Sequence, residues 1–202
     1  MLELDKSYFQ NFEQITGIDE AGRGPLAGPL VVAAVTIRKD FTIKGLNDSK
    51  KLSDRTRRSL YQSIIQEAID YKIIVISVDI IDRINILQAT MLGMQKACLQ
   101  LKKKGKILID GNRVPAELIP LQAEAIVKGD QKVSAIAAAS ILAKVFRDDI
   151  MIKLHDKHPE YGFDHNKGYG TKSHLKAIEE HGIIDEHRRS FGPVAQQCII
   201  FD

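Results

Sequence analysis

Hydrophobic and polar residues alternate along this chain in the periods of strands and of helices, and the two kinds of segment are interleaved. Runs of apolar or β-branched residues predict strands, at 15–19, 30–37, 72–78, 107–110 and 124–127. Apolar residues spaced three and four apart predict helices, at 53–71, 82–104, 133–154, 171–181 and, as a short last element, 183–190. Strands that alternate with helices are typical of an α/β protein.

A loop that contains Gly22, Gly24 and Gly28 joins the first two predicted strands. A dinucleotide-binding fingerprint needs its three glycines between a strand and a helix. Here the third glycine comes one position late, and a second strand follows the loop. We therefore predict a β-hairpin at this loop, without a helix N-terminus that would bind a pyrophosphate.

Two adjacent acids, Asp19 and Glu20, end the first predicted strand. A buried carboxylate is costly unless a cation or a metal compensates its charge. Arg23 could pair with one of the two, so a capped turn and a metal or catalytic site both remain open at this point. Neighbouring side chains of a regular strand point to opposite faces, so a shared site requires a bulge or a turn here.

Further candidate residues follow later in the chain. Asp110 ends a short apolar strand, which is where α/β sheets form their sites, although it could simply open a turn. Asp130 precedes the long helix, so capping of that helix is the simplest interpretation. Ser140 and Lys144 share one helix face and could contact a phosphate, whereas Lys144 could equally form an ion pair with Asp148.

After residue 156 the chain becomes rich in histidine, glycine and charge. Tyr169 stands between Gly168 and Gly170 in this region. An exposed aromatic ring in such a loop can stack on a sugar or a base. The alternative is an ordinary turn with a packed tyrosine.

The composition of the 202-residue chain narrows the class of protein. A net charge of +3 and a pI near 8.8 allow a nucleic-acid partner without requiring one. Cys98 and Cys198 are too few and too far apart for a disulfide framework. No apolar run approaches the roughly 20 residues of a membrane span. We therefore expect a cytoplasmic protein that does not enter a membrane.

Several motifs, taken in order, resemble those of the bacterial ribonuclease HII family. They are GIDEAGRGPLAGP at 17–29, DSKKL at 48–52, IDG at 109–111, KGD at 128–130, AAASILAKVFRD at 137–148, GYGT at 168–171 and HRRSF at 187–191. The resemblance covers nearly the whole chain, and its first and longest motifs are highly specific.

The resemblance implies a ribonuclease H-like fold, with a mixed five-stranded sheet flanked by helices and a small C-terminal helical extension. The implied catalytic domain spans 1–156, and the extension, 157–202, would complete the substrate groove. The implied enzyme is a monomer that acts on RNA/DNA hybrids and on duplex DNA containing ribonucleotides. It would cut the RNA strand of hybrids and nick 5′ of a single ribonucleotide, leaving 3′-hydroxyl and 5′-phosphate ends.

The resemblance also implies roles for individual residues. The catalytic, metal-binding carboxylates would be Asp19, Glu20, Asp110 and Asp130, which would hold two Mg²⁺ or Mn²⁺ ions together with substrate. The ribose 2′-hydroxyl would meet the main chain of Gly22, Arg23 and Gly24, and Tyr169 would stack on the sugar at the RNA–DNA junction. Phosphate contacts would come from Asn47, Ser49, Lys50, Ser140 and Lys144.

Two alternatives compete with this interpretation. Ribonuclease HIII shares the fold and the acids, but it lacks the Gly-Arg-Gly triplet and carries an additional N-terminal domain, for which too few residues precede Gly17. A non-catalytic module that binds hybrids could dispense with one or more of the acids, whereas all of them are present here.

Overall fold

The computed structural model describes residues 2–43, 45–46 and 52–201. Its strands are β1 (Gln14–Ala21), β2 (Leu30–Arg38), β3 (Asp70–Ile76), β4 (Lys106–Asp110) and β5 (Glu124–Ile126). Its α-helices are α1 (Asp5–Asn11), α2 (Asp54–Glu67), α3 (Val78–Leu99), α4 (Ser134–Lys157), α5 (Phe163–Asn166), α6 (Lys172–His181) and α7 (Gly192–Phe201). Short 3₁₀ turns lie at Ala116–Leu121, Gly129–Gln131 and Pro159–Tyr161.

The strands form one mixed five-stranded sheet in the order β3-β2-β1-β4-β5. β1 pairs with β2 and β2 with β3 in antiparallel fashion, whereas β1 with β4 and β4 with β5 are parallel. The predicted hairpin at the glycine loop is therefore confirmed. Because β1 and β4 are parallel neighbours, their carboxyl ends lie at the same edge of the sheet.

Helices cover both faces of this sheet. Ile15, Ala33 and Val35 face α4 and α2, and the alternate positions, such as Ile18 and Val32, face α3. The alanine-rich α4 lies unusually close to β1: a Cβ atom at Gly17 would be 2.1 Å from the carbonyl carbon of Ala135. Only glycine on the strand and small residues on the helix allow this approach, which fixes α4 relative to the sheet edge.

The C-terminal region departs most from the sequence-based expectation. The helix expected at 183–190 is wrong: these residues form turns and a bridge between His187 and Ala27, and the last helix begins at Gly192. One main-chain hydrogen bond within the segment remains, from His187 N–H to the carbonyl of Ile184, and others go to the glycine loop. Gly28 N–H donates to the carbonyl of Glu186 and Arg188 N–H to that of Leu26, both over 2.8 Å.

Other helix boundaries shift by several residues. α2 ends at Glu67, not near 71, because Ala68 is extended and leads into β3. α3 begins at Val78, before the expected 82, bends at Asn85 (φ 65°) and ends at Leu99. α1 has no counterpart among the sequence-based predictions. Within the described ranges, none of the helices has both the length and the apolarity needed to cross a bilayer.

Candidate active site

The first two acids lie at the end of β1. The β1–β2 register runs one to one through Asp19↔Ala33 and Glu20↔Val32, so no bulge intervenes between them. Asp19 therefore faces α4 and Glu20 faces the α3 side, and the turn comes only afterwards, at Gly22 (φ +101°). A site shared by both acids required a bulge or a turn. The bulge is absent, and the turn follows directly after the strand end that carries the acids.

The charges of three acids interact at this edge. Burial raises the pKa of Asp19 well above its usual value, and the neighbouring charges of Glu20 and Asp110 raise it further. Hydrogen bonds from Ser140 and from the Glu20 main-chain N–H (2.7 Å) oppose that rise. Burial also raises the pKa of Glu20, with Arg23 opposing and Asp110 adding to the effect. Negative charge is thus concentrated where little solvent reaches.

Asp130 lies next to this group through its neighbour in the chain. Gly129 N–H donates to Asp110 Oδ1 over 2.6 Å, and Asp130, 2% exposed, follows in the same 3₁₀ turn. The residue at the cap position of α4 is Val133, so the simple interpretation of Asp130 as the cap is wrong. The cap comes from Asp5, whose Oδ1 accepts a hydrogen bond from Ser134 N–H at 2.9 Å.

The acids could bind a divalent cation that takes its remaining ligands from water and substrate. Glu20 Oε2 is buried, and no described residue donates a hydrogen bond to it. In the described ranges, no group of three or more His, Cys, Asp or Glu side chains is arranged to hold a metal ion unaided. Hard divalent cations such as Mg²⁺ bind through one or two carboxylates together with water and substrate phosphate. The carboxylate set suits that kind of coordination better than a closed structural site.

A cleft of about 400 Å³ opens beside Glu20. The structure brings together in its walls most of the remaining candidate residues, which are Gly22, Arg23, Gly24, Ser140, Lys144 and Tyr169, with Arg57 and Arg147 as additions. Tyr169 is 48% exposed, so it is not the packed tyrosine of the alternative interpretation. A Cβ atom at Gly24 would lie 3.5 Å from its Cε1, so loop and ring face each other.

A second cleft lies on the other side of Glu20 and Arg23. It has a volume of about 360 Å³ and includes Asp110, Asn112 and Arg113 in its lining. Glu20 and Arg23 are joined by a 3.4 Å ion pair, and they form the ridge between the two clefts. The sheet edge that carries Asp19, Glu20, Asp110 and Asp130, called the acid edge below, therefore has a cleft on each face of the sheet.

Lys144 forms the ion pair that its spacing allowed, whereas its contact with a phosphate stays a prediction. Its Nζ lies 2.7 Å from Asp148 Oδ1, one helical turn away, and it also lines the first cleft. Arg57 Nη1 lies 3.9 Å from the other oxygen of the same carboxylate. Asp148 thus holds two cations at the cleft wall.

Two buried arginines hold the glycine loop. Arg147 of α4 donates to the carbonyls of Pro29, Lys167 and Ala27 over 2.9 to 3.1 Å. Burial lowers its pKa to about 10. The sequence-based predictions gave Arg147 no role, although it lies on the same helix as Ser140 and Lys144 and follows an alanine-rich, apolar stretch.

Arg188 is the second of these arginines and is fully buried. Its guanidinium donates to the carbonyls of Gly22 (2.6 Å), Arg23 (3.0 Å) and Gly28 (2.8 and 3.0 Å). Burial, and then the charge of Arg147, lower its pKa to about 9. The sequence offered no local sign of this role, because Arg188 stands among charged residues near the end of the chain.

Comparison with known proteins now identifies the family. The sequence profile of ribonuclease HII matches residues 16–194. The chain belongs to the ribonuclease HII family. Ribonuclease HII of Delftia acidovorans is 56% identical to it over 182 residues, which are 90% of this chain and 77% of that protein. As a family member the chain is an endoribonuclease, a hydrolase of the ribonuclease H class that acts on RNA/DNA substrates.

Solved structures confirm the ribonuclease H-like fold. Ribonuclease H2 from Pyrococcus horikoshii OT3 is 29% identical and superposes with a TM-score of 0.78, over 93% of this chain and 98% of that one. Bst-RNase HIII in complex with Mn²⁺ has a TM-score of 0.74 at 20% identity, over 93% of this chain and 70% of that one, which shows a shared fold. Family membership sets aside both alternatives, ribonuclease HIII and a non-catalytic module.

Proposed function

We propose that this member of the ribonuclease HII family nicks duplex DNA on the 5′ side of a single embedded ribonucleotide and also cuts the RNA strand of RNA/DNA hybrids. The observation that carries the proposal is the cleft in which Glu20 of the acid edge, the Gly22–Gly24 loop and the exposed ring of Tyr169 meet. A hydrolytic site and a surface suited to one sugar lie side by side there.

The acid edge supports cleavage that depends on a divalent metal. Asp19, Glu20, Asp110 and Asp130 would hold two Mg²⁺ or Mn²⁺ ions with the scissile phosphate, and such ions activate a water molecule and stabilise the leaving 3′-oxygen. Glu20 Oε2 is a buried acceptor that no described residue engages, and the pKa of Asp19 is raised by burial and then by its acidic neighbours. A bound cation would relieve both conditions.

The glycine loop supports recognition of the ribose 2′-hydroxyl. The carbonyls of Gly22 and Arg23 already accept hydrogen bonds from Arg188, whereas no described residue accepts from the N–H groups of Arg23 or Gly24. These N–H groups are the available donors, and the absent side chains of the glycines allow a sugar to approach them. Contact with the 2′-hydroxyl is how a protein distinguishes RNA from DNA at one position.

The phosphates on either side of that sugar require cations or hydroxyls. Ser140 and Lys144 line the same cleft and would contact them. Asn47, Ser49 and Lys50 keep the same proposed role, and they lie outside the described residues. The region 157–202, which contributes Tyr169, would complete the groove for the duplex.

The test is a DNA duplex that carries one ribonucleotide, incubated with the protein and Mg²⁺. We expect a single nick 5′ of the ribonucleotide, with a 3′-hydroxyl on one fragment and a 5′-phosphate on the other. The all-DNA duplex should remain intact, and EDTA should stop the reaction. A cut on the 3′ side, or equal cutting of the all-DNA duplex, would contradict the proposal.

A further inference from the structure

Two buried histidines connect the C-terminal segment to Tyr169. His174, in the first turn of α6, and His187 are both fully buried, and their Nε2 atoms lie 3.1 Å apart. The other nitrogen of His174, Nδ1, is 2.9 Å from the carbonyl oxygen of Tyr169. The other nitrogen of His187, also Nδ1, is 3.0 Å from the main-chain N–H of Ile184. The chain of contacts therefore begins and ends on main-chain groups.

These end groups fix the position of every proton in the chain. The Ile184 N–H can only donate, so His187 Nδ1 must accept, and a neutral His187 then carries its proton on Nε2. That proton is donated to His174 Nε2, so His174 must carry its own proton on Nδ1. The Tyr169 carbonyl can only accept, which matches that donor. Only one pair of tautomers satisfies all three hydrogen bonds.

The same short segment also holds the glycine loop. Arg188, the residue after His187, donates to the carbonyls of Gly22 and Arg23, and His187 forms the β-bridge to Ala27. One segment is thus bonded to the glycine loop through Arg188 and to the Tyr169 main chain through the two histidines. Loop and ring are the two walls of the proposed sugar site.

We infer that His174 and His187 are positioning residues that fix the main chain of Tyr169, and with it the stacking ring, at a set distance from the Gly22–Gly24 loop. The inference rests on the proposed function, since it assigns the ring and the loop to one sugar. Neither histidine is among the residues that line the cleft, so both act through Tyr169.

Packing alone does not explain why both positions are histidine. Aromatic rings surround the pair: Tyr161 lies 5.0 Å from His187 and Phe163 lies 5.3 Å from His174, measured between ring centroids. An apolar side chain would fill this space without the cost of burying ring nitrogens. The buried ring nitrogens form a continuous series of hydrogen bonds that ends at the Tyr169 carbonyl. An apolar ring at either position would break this series.

The decisive experiment compares His174→Asn with His174→Gln in the full-length chain. The asparagine amide takes the place of Nδ1 and can still donate to Tyr169, whereas the glutamine amide takes the place of Nε2 and cannot. Both variants lose the ring, so their melting temperatures should fall alike. We expect His174→Asn to keep kcat/KM on the single-ribonucleotide duplex within about threefold of wild type and His174→Gln to lose about tenfold or more, since small misplacements of positioning groups cost that much.

NMR spectra without substrate separate this inference from the proposed function. In the wild type, long-range ¹H–¹⁵N spectra at neutral pH should show His187 protonated on Nε2 and His174 on Nδ1, and the ¹³C shift of the Tyr169 carbonyl should change in His174→Gln but not in His174→Asn. Different tautomers, or equal changes in both variants, would overturn the positioning role. Failure of the wild type to nick would contradict the proposed function instead, and the carbonyl shifts would still decide the inference.

Discussion

The acid edge and the segment that holds the glycine loop are both buried and both charged, but they differ in how their charges are compensated. At the acid edge, the pKa values of Asp19 and Glu20 are raised by burial and by a neighbouring acid. Around the loop, each nitrogen of Arg147 and of Arg188 donates to a carbonyl. Although the two arginines also repel each other, the fold gives every guanidinium nitrogen an acceptor. At the acid edge the acids repel one another and Glu20 Oε2 has no donor among the described residues, which a bound cation would compensate.

This difference predicts opposite consequences for the two regions. Removing a charge from the acid edge should harm catalysis without harming folding, because the folded protein gains nothing from the repulsion. Removing a contact from the loop region should harm both, because buried polar groups lose partners there.

Asp110→Asn tests the acid edge. The amide oxygen can still accept from Gly129 N–H, so the local structure is kept while the charge is lost. We expect nicking to fall by about 10³-fold or more, which corresponds to about 4 kcal/mol in the activation free energy. The melting temperature without metal should stay the same or rise. A variant that cuts at the wild-type rate, measured under single-turnover conditions, would contradict this assignment of the acids.

Gly22→Ala tests the loop. The residue has φ +101°, and a Cβ atom would lie 2.1 Å from Arg147 Nε and 2.9 Å from the Pro29 carbonyl oxygen. We expect a loss of about 1–3 kcal/mol in unfolding free energy from the backbone strain, with more from the clash, and a loss of about 10²-fold in nicking. Denaturant unfolding and the nicking assay measure the two effects.

Gly182→Ala is the matched control for that substitution. Gly182 also has a positive φ, +79°, but a Cβ atom there would meet nothing within 4 Å. This variant should lose stability through strain alone and should nick at the wild-type rate. Equal losses of activity in both glycine variants would show that strain in general, rather than the position of the loop, limits cleavage.

The residues of the acid edge were easier to predict from the sequence than the residues that hold the glycine loop, for a physical reason. Asp19 and Asp110 were found because an acid that ends an apolar strand is an energetic anomaly visible within a few residues. Arg188 and His187 were missed because the partners that bury them are carbonyls and a ring from distant parts of the chain. A charged pair near the end of a sequence is otherwise typical of an exposed helix end.

The helix predicted at 183–190 was wrong for the same reason, because the partners of this segment are distant in sequence. Its residues have helical spacing, but their main-chain groups bond to the glycine loop, which local periodicity cannot indicate. The hairpin and the long α4 were predicted well because their signals are local. The cap expected at Asp130 was wrong because Val133 stands at the cap position and Asp5, far away in sequence, accepts the hydrogen bond from the Ser134 N–H.

Tyr169→Ala tests the ring where the two regions meet. The side chain is about half exposed, so its removal should change the melting temperature little. We expect a loss of about tenfold in single-ribonucleotide nicking, which is about 1.4 kcal/mol and lies within the roughly 1–3 kcal/mol of a stacked ring, and a smaller loss in binding to all-DNA duplex. Tyr169→Phe keeps the ring and should retain most of the activity. Equal losses in nicking and in duplex binding would exclude a role in sensing the junction.

Acid should affect the two regions in opposite directions. Burial, followed by the charges of His174 and His158, lowers the pKa of His187 to about 4, from its usual 6.5. The unfolded chain therefore takes up a proton before the folded one does, and this group makes the protein less stable as pH falls from about 6.5 towards 4. Asp19 behaves oppositely: its pKa is raised in the folded state, so protonation at falling pH favours folding.

Two single substitutions should therefore change the pH dependence of stability with opposite signs. The free energy of unfolding is measured by urea titration without divalent metal at about pH 7, 6 and 5. His187→Asn removes the group with the lowered pKa. The stability of this variant should therefore fall less steeply with acid than that of the wild type, with Tyr161 and Arg188 unchanged beside the substituted position. Asp19→Asn removes the compensating acid, so its stability should fall more steeply. Slopes that change in the same direction would show that one electrostatic environment, not two, governs this end of the molecule.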